Sequence, residues 1–244
     1  MEAYQDGLGV AEWLTAKDPG NTNWQRDLSI SHERIGTVLA LQGKAEQALE
    51  PYRNGLLIRE RLAETAPGNA QWQRDVGLSR SNVGDMLLAQ GKADEALKLY
   101  EEGFAVAERL AEADPSNAQW QRDLWLFHLK FGDVHRAQGD LDGALASYRE
   151  TAAIADRLTK ADPSNSGWQR DLAISYAQIS LVLEQQGENE QALDRYRQAR
   201  AITARLKTQS PDDATLDKEL FWFDERIAAL EESPAGEADP GAGR

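Results

Sequence analysis

The tetrapeptide Trp-Gln-Arg-Asp occurs four times in this chain, beginning at Trp24, Trp72, Trp120 and Trp168. The copies are evenly spaced, and a fixed period of about 48 residues is typical of solenoids and arrays, in which one small unit is stacked on copies of itself. A catalytic residue is needed once, whereas a residue present four times in register builds architecture. The repeat therefore predicts a scaffold rather than an enzyme.

Proline, a Gln-Gly pair, alanine and tyrosine recur with the same period. They stand at Pro19, Pro67, Pro115, Pro163 and Pro211; at Gln42-Gly43, Gln90-Gly91, Gln138-Gly139 and Gln186-Gly187; at Ala48, Ala96, Ala144 and Ala192; and at Tyr4, Tyr52, Tyr100, Tyr148 and Tyr196. The residues between them differ from copy to copy. The recurring positions are therefore the ones that the geometry of the repeat constrains.

Composition excludes several classes of protein. The chain has no cysteine, which excludes disulfides and thiolate metal sites. Its formal charge of −14 argues against nucleic acid, because phosphate binding needs clustered lysine and arginine. No uncharged apolar stretch is long enough to span a bilayer, so we expect a soluble cytoplasmic protein without a membrane partner. Residues 233–244 have almost nothing to bury and are predicted to be a disordered tail.

The first half of each repeat predicts a helix, here called helix A. Asn21 follows Pro19-Gly20 and is well placed to cap the helix by accepting a bond from a free backbone N–H. Gly43 is expected to end it, because glycine adopts the left-handed conformation without steric cost. Between them, apolar or small residues follow steps of four and three, which is one face of a helix, at Trp24, Leu28, Ser31, Ile35 and Val38.

The second half predicts another helix, helix B, over about residues 44–65. Its apolar seam runs through Ala45, Ala48, Leu49, Tyr52, Leu56 and Leu62. Ala66 precedes Pro67 and is biased out of the helical region, so the helix should stop there. Each repeat is thus expected to be two antiparallel helices, each roughly 30 Å long. The repeated tryptophans are predicted to be buried between successive layers.

The repeat resembles the tetratricopeptide repeat, a helix-turn-helix unit of about 34 residues. The resemblance rests on Ile35-Gly36, Leu39, Gly43, Ala48, Tyr52 and the Pro19-Gly20-Asn21 turn, and it recurs down nearly the whole chain. Each unit here is longer than that family length by two heptads, one in each helix. A heptad is almost two turns, so the buried face returns within about 20° of its direction. The resemblance implies an all-α, right-handed α-solenoid of antiparallel helix pairs, and it suggests a kinship with bacterial multi-domain proteins.

The register divides the chain into a series of units. Residues 1–232 are predicted to form the solenoid, with a lone helix B at 1–18, repeats at 21–67, 69–115, 117–163 and 165–211, and a terminal helix A at 214–232. In tetratricopeptide arrays the face of helix A opposite the seam lines a concave groove, and two columns of residues occupy it here. One is basic, Arg26, Arg74, Arg122, Arg170 and Lys218; the other is apolar, Ile30, Leu78, Leu126, Ile174 and Trp222.

Two interpretations of these columns are open. The arginines could hold carboxylates of a partner segment whose side chains contact the apolar column. Alternatively, each arginine pairs with a residue of the Asp27 type on its own or the next repeat, and the apolar column is half buried between helices. The regularity of the columns favours the structural interpretation, because architecture repeats whereas sites break symmetry.

Repeat three breaks the symmetry most, around His128 and His135. Leu129 replaces Glu33 and Ser81, and Arg136 replaces Ala40 and Leu88, which suggests an aromatic and basic patch suited to a partner. Against this, Phe127 and Phe131 sit on the seam and are expected in the core. The candidate partner-binding groove therefore comprises Arg26, Ile30, Arg74, Leu78, Arg122, Leu126, Leu129, Asp133, Arg136, Arg170, Ile174 and Trp222.

No catalytic motif, phosphate-binding glycine loop or zinc helix occurs in the sequence, so we expect no enzyme activity, no cofactor and no metal. The lysine and asparagine clamp of some tetratricopeptide domains is also absent, because Glu33, Thr37, Ser81 and Asp85 stand at its positions. The predicted function is a protein–protein interaction scaffold. The alternatives are a self-assembly module that forms homo-oligomers through exposed end helices, or a regulatory segment of a larger bacterial signalling protein.

Overall fold

A computed structural model of the chain describes residues 2–232, which form ten α-helices and no strand. The helices are α1 (Glu2–Lys17), α2 (Thr22–Leu41), α3 (Ala45–Thr65), α4 (Ala70–Ala89), α5 (Ala93–Ala113), α6 (Ala118–Ala137), α7 (Leu141–Ala161), α8 (Ser166–Gln185), α9 (Asn189–Gln209) and α10 (Ala214–Glu232). This confirms the all-α class. The predicted tail at 233–244 lies outside the described residues. None of the described helices is long and apolar enough to cross a bilayer.

The chain divides into two compact units, the first ending at Gln138 and the second beginning at Gly139. Unit 1 contains α1 to α6, and unit 2 contains α7 to α10. Within each unit every helix packs against the next one along the chain, so each unit is a stack of helices in sequence order. Even-numbered helices are the predicted A helices and odd-numbered ones are the B helices.

Asparagine begins each complete helix A, as predicted for Asn21. The side-chain oxygen of Asn21 accepts hydrogen bonds from the backbone N–H groups of Asn23 and Trp24, at 3.1 and 3.2 Å. Asn69, Asn117 and Asn165 cap α4, α6 and α8 in the same way. Each cap satisfies a backbone donor that has no partner within the helix, which fixes where the helix starts.

Glycine ends the complete A helices, also as predicted. Gly43 has φ of 72°, and the equivalent glycines of the later repeats share this left-handed conformation. The chain then turns back at once into α3, so the two helices are antiparallel. The side-chain contacts confirm this, because Tyr52 bonds to Thr37 whereas Arg59, farther along α3, bonds to Ser29, earlier in α2.

The core of unit 1 is built around tyrosines that lie over glycines of the partner helix. Tyr100 is fully buried, and a Cβ added at Gly84 would come within 2.5 Å of its ring. Tyr52 lies over Gly36 in the same way, at 2.8 Å. Only glycine allows the ring so close to the backbone, which explains why glycine and tyrosine recur together in these two repeats.

The repeated tryptophans differ from the prediction. Trp24, Trp72, Trp120 and Trp168 are half-buried, and none belongs to the buried core. The capping bonds place all four in the first turn of their helices. An indole at a helix end lies at the edge of the packed layer, where solvent reaches one side of the ring. Burial of large side chains between layers instead involves the tyrosines.

A buried ionic cluster joins α2, α3 and α4. Arg59, whose side chain is 9% exposed, pairs with Glu33 and donates to Ser29 Oγ at 3.3 Å and Ser79 Oγ at 2.6 Å. Asn82 of α4 donates to the other oxygen of Glu33 at 3.1 Å. The guanidinium is therefore surrounded by acceptors, which is the condition under which a buried charge is tolerated.

The buried tyrosines predict the response of the protein to alkali. Burial and the nearby Asp85 carboxylate raise the pKa of Tyr100 from its ordinary value of 10.0, and burial and Glu184 raise the pKa of Tyr196. The unfolded state therefore releases these protons first. The stabilisation that depends on the neutral phenols is complete below pH 10 and declines as the pH rises above it.

We expect the free energy of unfolding, measured with urea, to fall above pH 10, with tyrosinate absorbance appearing as helical circular dichroism is lost. A variant with Tyr100→Phe and Tyr196→Phe should lose less stability over the same pH range. Identical pH profiles for the two proteins would contradict this expectation.

Candidate functional site

The basic column forms a ladder of ion pairs between successive A helices. Arg26 of α2 lies 3.6 Å from Asp75 of α4, measured from Nε to Oδ2. Arg74 donates two bonds to Asp123 of α6, at 2.5 and 2.8 Å. In unit 2, Arg170 of α8 pairs with Glu219 of α10. Each of these arginines thus reaches the acidic residue of the following repeat, as the structural interpretation predicts.

The pair in unit 1 between Arg74 and Asp123 is largely removed from water, with side chains 15% and 7% exposed. Burial raises the pKa of Asp123, and the two bonds from Arg74 act in the opposite direction. A bidentate, desolvated pair fixes the register of two helices geometrically. Because these guanidinium groups bind carboxylates of the chain itself, we do not assign them to a ligand.

The apolar column lies on the same faces of the A helices. Its five members, Ile30, Leu78, Leu126, Ile174 and Trp222, are all half-buried. In unit 2 two of them, Ile174 of α8 and Trp222 of α10, line a groove of about 380 Å³. Leu181 and Phe223 extend its apolar wall. The column therefore becomes a concave apolar surface in unit 2.

Aromatic contacts fix the position of Trp222 in this groove. Its ring meets the buried Tyr196 edge to face, with centroids 5.6 Å apart, and Phe223 at 5.1 Å. The Arg226 guanidinium lies 5.6 Å from its ring centroid. Such contacts each add to the stability of one orientation. The indole is thus held in place as part of a preformed wall.

Two polar groups of the groove have no hydrogen-bond partner among residues 2–232. They are the hydroxyl of Thr203, a residue that is 1% exposed, and the side-chain oxygen of Gln178, and both atoms are buried. A buried polar atom without a partner is costly, and native proteins contain few of them. Thr203 and Gln178 thus add two buried, unpaired polar atoms to an otherwise apolar groove.

One cation lies at the rim of the groove. Lys218 of α10 is exposed and lines the opening, and it makes no ion pair within the described part of the chain. The other basic residue of the lining, Arg170, is paired with Glu219. An incoming carboxylate would therefore meet the ammonium group of Lys218.

The aromatic side chains of the repeat-three patch differ in burial. Trp125 and Phe127 are buried, with Phe127 1% exposed, as expected for the core position of Phe127, whereas His128 and Phe131 are half-buried. Leu129 is half-buried, and Arg136 lies 3.9 Å from Asp133 one turn earlier. The candidate residues that lie in unit 1 are Arg26 and Ile30 on α2, Arg74 and Leu78 on α4, and Arg122, Leu126, Leu129, Asp133 and Arg136 on α6.

Sequence comparison identifies the repeat. Residues 76–116, which span most of α4 and all of α5, match the sequence model of the tetratricopeptide repeat. This segment is a tetratricopeptide repeat. The predicted resemblance is thereby confirmed, and the equivalent caps, turns and tyrosines of the other hairpins follow the pattern of this tetratricopeptide repeat. No curated protein sequence matches the chain.

Solved structures share the fold of this chain. The crystal structure of BtubC (BKLC) from P. vanneervenii superposes with a TM-score of 0.62 at 14% identity, covering 94% of this chain and 85% of that one. The crystal structure of the apo form of RapI superposes with a TM-score of 0.61 at 10% identity, covering 93% of this chain and 55% of RapI. At these identities the likeness concerns the fold alone.

Two residues of the groove, Thr203 and Gln178, were not predicted from the sequence. Thr203 stands where Ala107 and Ala155 stand in other repeats, so a hydroxyl replaces an apolar side chain. Gln178 stands where Asn82 and Lys130 bond to the preceding A helix. For Thr203 the departure from alanine is a signal that the sequence contains, whereas the position of Gln178 holds a different polar residue in each copy and gives no such signal.

Proposed function

We propose that this tetratricopeptide repeat protein is an interaction scaffold that binds a segment of a partner protein in the groove of unit 2. The observation that carries the proposal is an apolar groove lined by Ile174, Leu181 and Trp222 that also contains two buried polar atoms without partners among the described residues. Concave apolar sites with a few convergent polar groups are the usual form of binding sites.

The lining indicates the chemistry of the segment. Its apolar side chains would cover Ile174, Leu181 and Trp222. Movement of the Gln178 and Thr203 side chains on binding would bring their buried polar atoms within reach of polar groups of the segment. An acidic residue would pair with Lys218 at the rim. The proposed ligand is therefore an apolar segment that carries a carboxylate.

A displayed peptide library, selected on the full chain, tests this proposal. We expect enrichment of sequences with large apolar residues next to aspartate or glutamate. The selected peptide, measured by calorimetry, should lose at least tenfold in affinity to Ile174→Glu, because the new carboxylate would lie buried in the groove. Lys218→Glu should weaken binding and remove the preference for the acidic residue.

Matched variants separate this groove from the rest of the column. Ile30→Glu makes the same change at the equivalent position of unit 1 and should leave the affinity unchanged. Leu129→Glu and Arg136→Glu test the repeat-three patch in the same way. If these three variants lose affinity while Ile174→Glu retains it, the site lies in unit 1 and the proposal is wrong. Circular dichroism of each variant verifies that the helices are intact.

A further inference from the structure

Two helices expose large apolar side chains that do not belong to the groove. On α1, Tyr4, Val10 and Trp13 are 42%, 59% and 60% exposed, and on α10 Phe221 is 64% exposed. Together these residues make up most of the exposed large apolar side chains of the described chain, the others being Leu41 and Leu57. Exposed apolar clusters of this kind mark interaction surfaces.

The residues at the equivalent positions of the other repeats are buried or, for Ile58, half-buried. Tyr52, Tyr100, Tyr148 and Tyr196, which correspond to Tyr4, are at most 7% exposed. Val106, Ile154 and Ile202, which correspond to Val10, are at most 9% exposed, and the fourth equivalent, Ile58, is half-buried. Ser29, Gly77, Trp125 and Ala173, which correspond to Phe221, are all buried. Both end helices therefore carry residues suited to packing at positions where no described helix covers them.

Trp13 adds a departure from the repeat. The other B helices have an exposed arginine at this position, Arg61, Arg109, Arg157 and Arg205. In α1 the arginine is replaced by a tryptophan that is 60% exposed and whose ring centroid lies 5.5 Å from the ammonium of Lys17. The equivalent arginines stay exposed in complete hairpins, so Trp13 lies outside the face of α1 that a hairpin partner would cover.

The hairpin of α4 and α5 shows how these faces fit each other. The carbonyl oxygen of Gly77 lies 3.0 Å from a Cβ placed on Gly103, and a Cβ on Gly77 would lie 3.7 Å from Cβ of Val106. Gly77 corresponds to Phe221, and Gly103 and Val106 correspond to Gly7 and Val10. In α1 a Cβ placed on Gly7 meets nothing within 4 Å. The surface of α5 that the preceding A helix covers thus has an uncovered equivalent on α1.

The hairpin of α8 and α9 supplies the second half of the fit. Tyr196 donates to Glu184 at 2.9 Å, and both Tyr196 and Ser180 are fully buried. On α10 the equivalents of Ser180 and Glu184 are Ala228 and Glu232. On α10, the small Ala228 would therefore contact the ring of Tyr4, and Glu232 would accept a hydrogen bond from its hydroxyl. Phe221 is larger than its equivalent in α8, Ala173, and Gly7 is smaller than its equivalent in α9, Ala199. The small Gly7 therefore leaves room for the large ring of Phe221.

We propose that α10 of one copy packs against α1 of a second copy in the geometry of the intramolecular hairpins. Phe221 lies against Gly7 and Val10 of the neighbouring copy, and Tyr4 of that copy donates to Glu232. The two surfaces are different, so the contact is heterologous. An open complex of any size therefore keeps one free α1 face and one free α10 face, so association continues beyond a dimer or closes into a ring.

Sedimentation equilibrium of the full chain tests the proposal, at an ionic strength of about 0.15 M, which screens the acidic surfaces beyond about 8 Å. We expect the mean mass to rise with protein concentration. Val10→Glu disables the α1 face and Phe221→Glu disables the α10 face, and each variant alone should remain a monomer. An equimolar mixture should form a 1:1 complex, because one intact face of each kind remains.

These measurements distinguish the proposed contact from a symmetric contact and from the absence of self-association. A symmetric contact between two α1 helices would leave Phe221→Glu associating alone, and a wild-type mass that never exceeds the monomer would exclude self-association. Either result overturns the proposal. Leu57→Glu, at a 48% exposed position of α3, is the matched control and should associate as the wild type does.

Disulfide trapping provides a second readout. The chain contains no cysteine, so introduced thiols report without background. A mixture of Gly7→Cys and Phe221→Cys should give the mixed disulfide in large excess over either homodimer. A mixed disulfide at no more than the random level, twice the amount of either homodimer, would contradict the proposed contact. Circular dichroism verifies that all variants are folded.

Discussion

Glu33→Ala is expected to destabilise unit 1 by about 3 kcal/mol, because it leaves a buried arginine without its counter-charge. Arg59 would keep only the hydroxyls of Ser29 and Ser79 as acceptors, and Asn82 would lose its bond to the removed carboxylate. Glu33 is itself 33% exposed, so water entering the site limits the loss to the lower part of the range for broken buried pairs. Urea denaturation followed by circular dichroism measures the effect.

Two further variants test whether the loss in Glu33→Ala comes from the unpaired charge of Arg59. Glu64→Ala removes an exposed carboxylate from the end of α3 and should change stability by no more than about 0.5 kcal/mol. The double variant Arg59→Ala with Glu33→Ser gives repeat one the residues of repeat two, where Ala107 and Ser81 are buried. It should be more stable than Glu33→Ala alone, since no charge remains buried. A double variant less stable than the single one would show that the cluster stabilises through more than charge pairing.

Tyr100→Ala is expected to cost about 4 kcal/mol, in the range observed when large aromatic side chains are deleted from a core. The ring is fully buried against Gly84, and its hydroxyl donates to Asp85 at 2.8 Å. Its removal leaves a cavity that the helix backbones cannot close, because the turn of Gln90-Gly91 fixes their spacing. The same urea denaturation measures the loss.

Tyr4→Ala is the matched control, since it changes the equivalent residue of α1, which is 42% exposed. Measured in a Phe221→Glu background, which prevents association, it should cost about 0.5 kcal/mol or less. Equal losses at Tyr4 and Tyr100 would mean that α1 is covered in solution by a contact other than the one through α10.

Much of the fold was predictable because the repeat presents the same evidence four times. The asparagine caps, the left-handed glycines and the seam of steps of four and three are local signals, and the structure confirms each of them. The exposure of Trp24 was not predictable in this way, because it depends on how far the layers extend past the helix end. The arrangement of the predicted segments as one continuous array of residues 1–232 stays a prediction.

The candidate site was predictable only in part. The sequence places Ile174 and Trp222 in one column, and the structure brings both into one groove. Whether Arg74 faces a ligand or Asp123 depends on side-chain directions that spacing alone does not determine. Arg59 and Thr203 were missed because both occupy positions that the repeat reserves for alanine, and attention to such exceptions would have found them.

The ion-pair ladder has a consequence for how this gene changes length. The same spacing separates the partners of each ion pair, namely one period of the repeat plus one residue. The pairs are Arg26 with Asp75, Arg74 with Asp123 and Arg170 with Glu219. An in-frame duplication or excision of one whole repeat brings an equivalent carboxylate to the same offset, so none of these arginines is left without a counter-ion. Recombination between copies can therefore lengthen or shorten the protein while the electrostatic fit between neighbouring repeats is inherited intact.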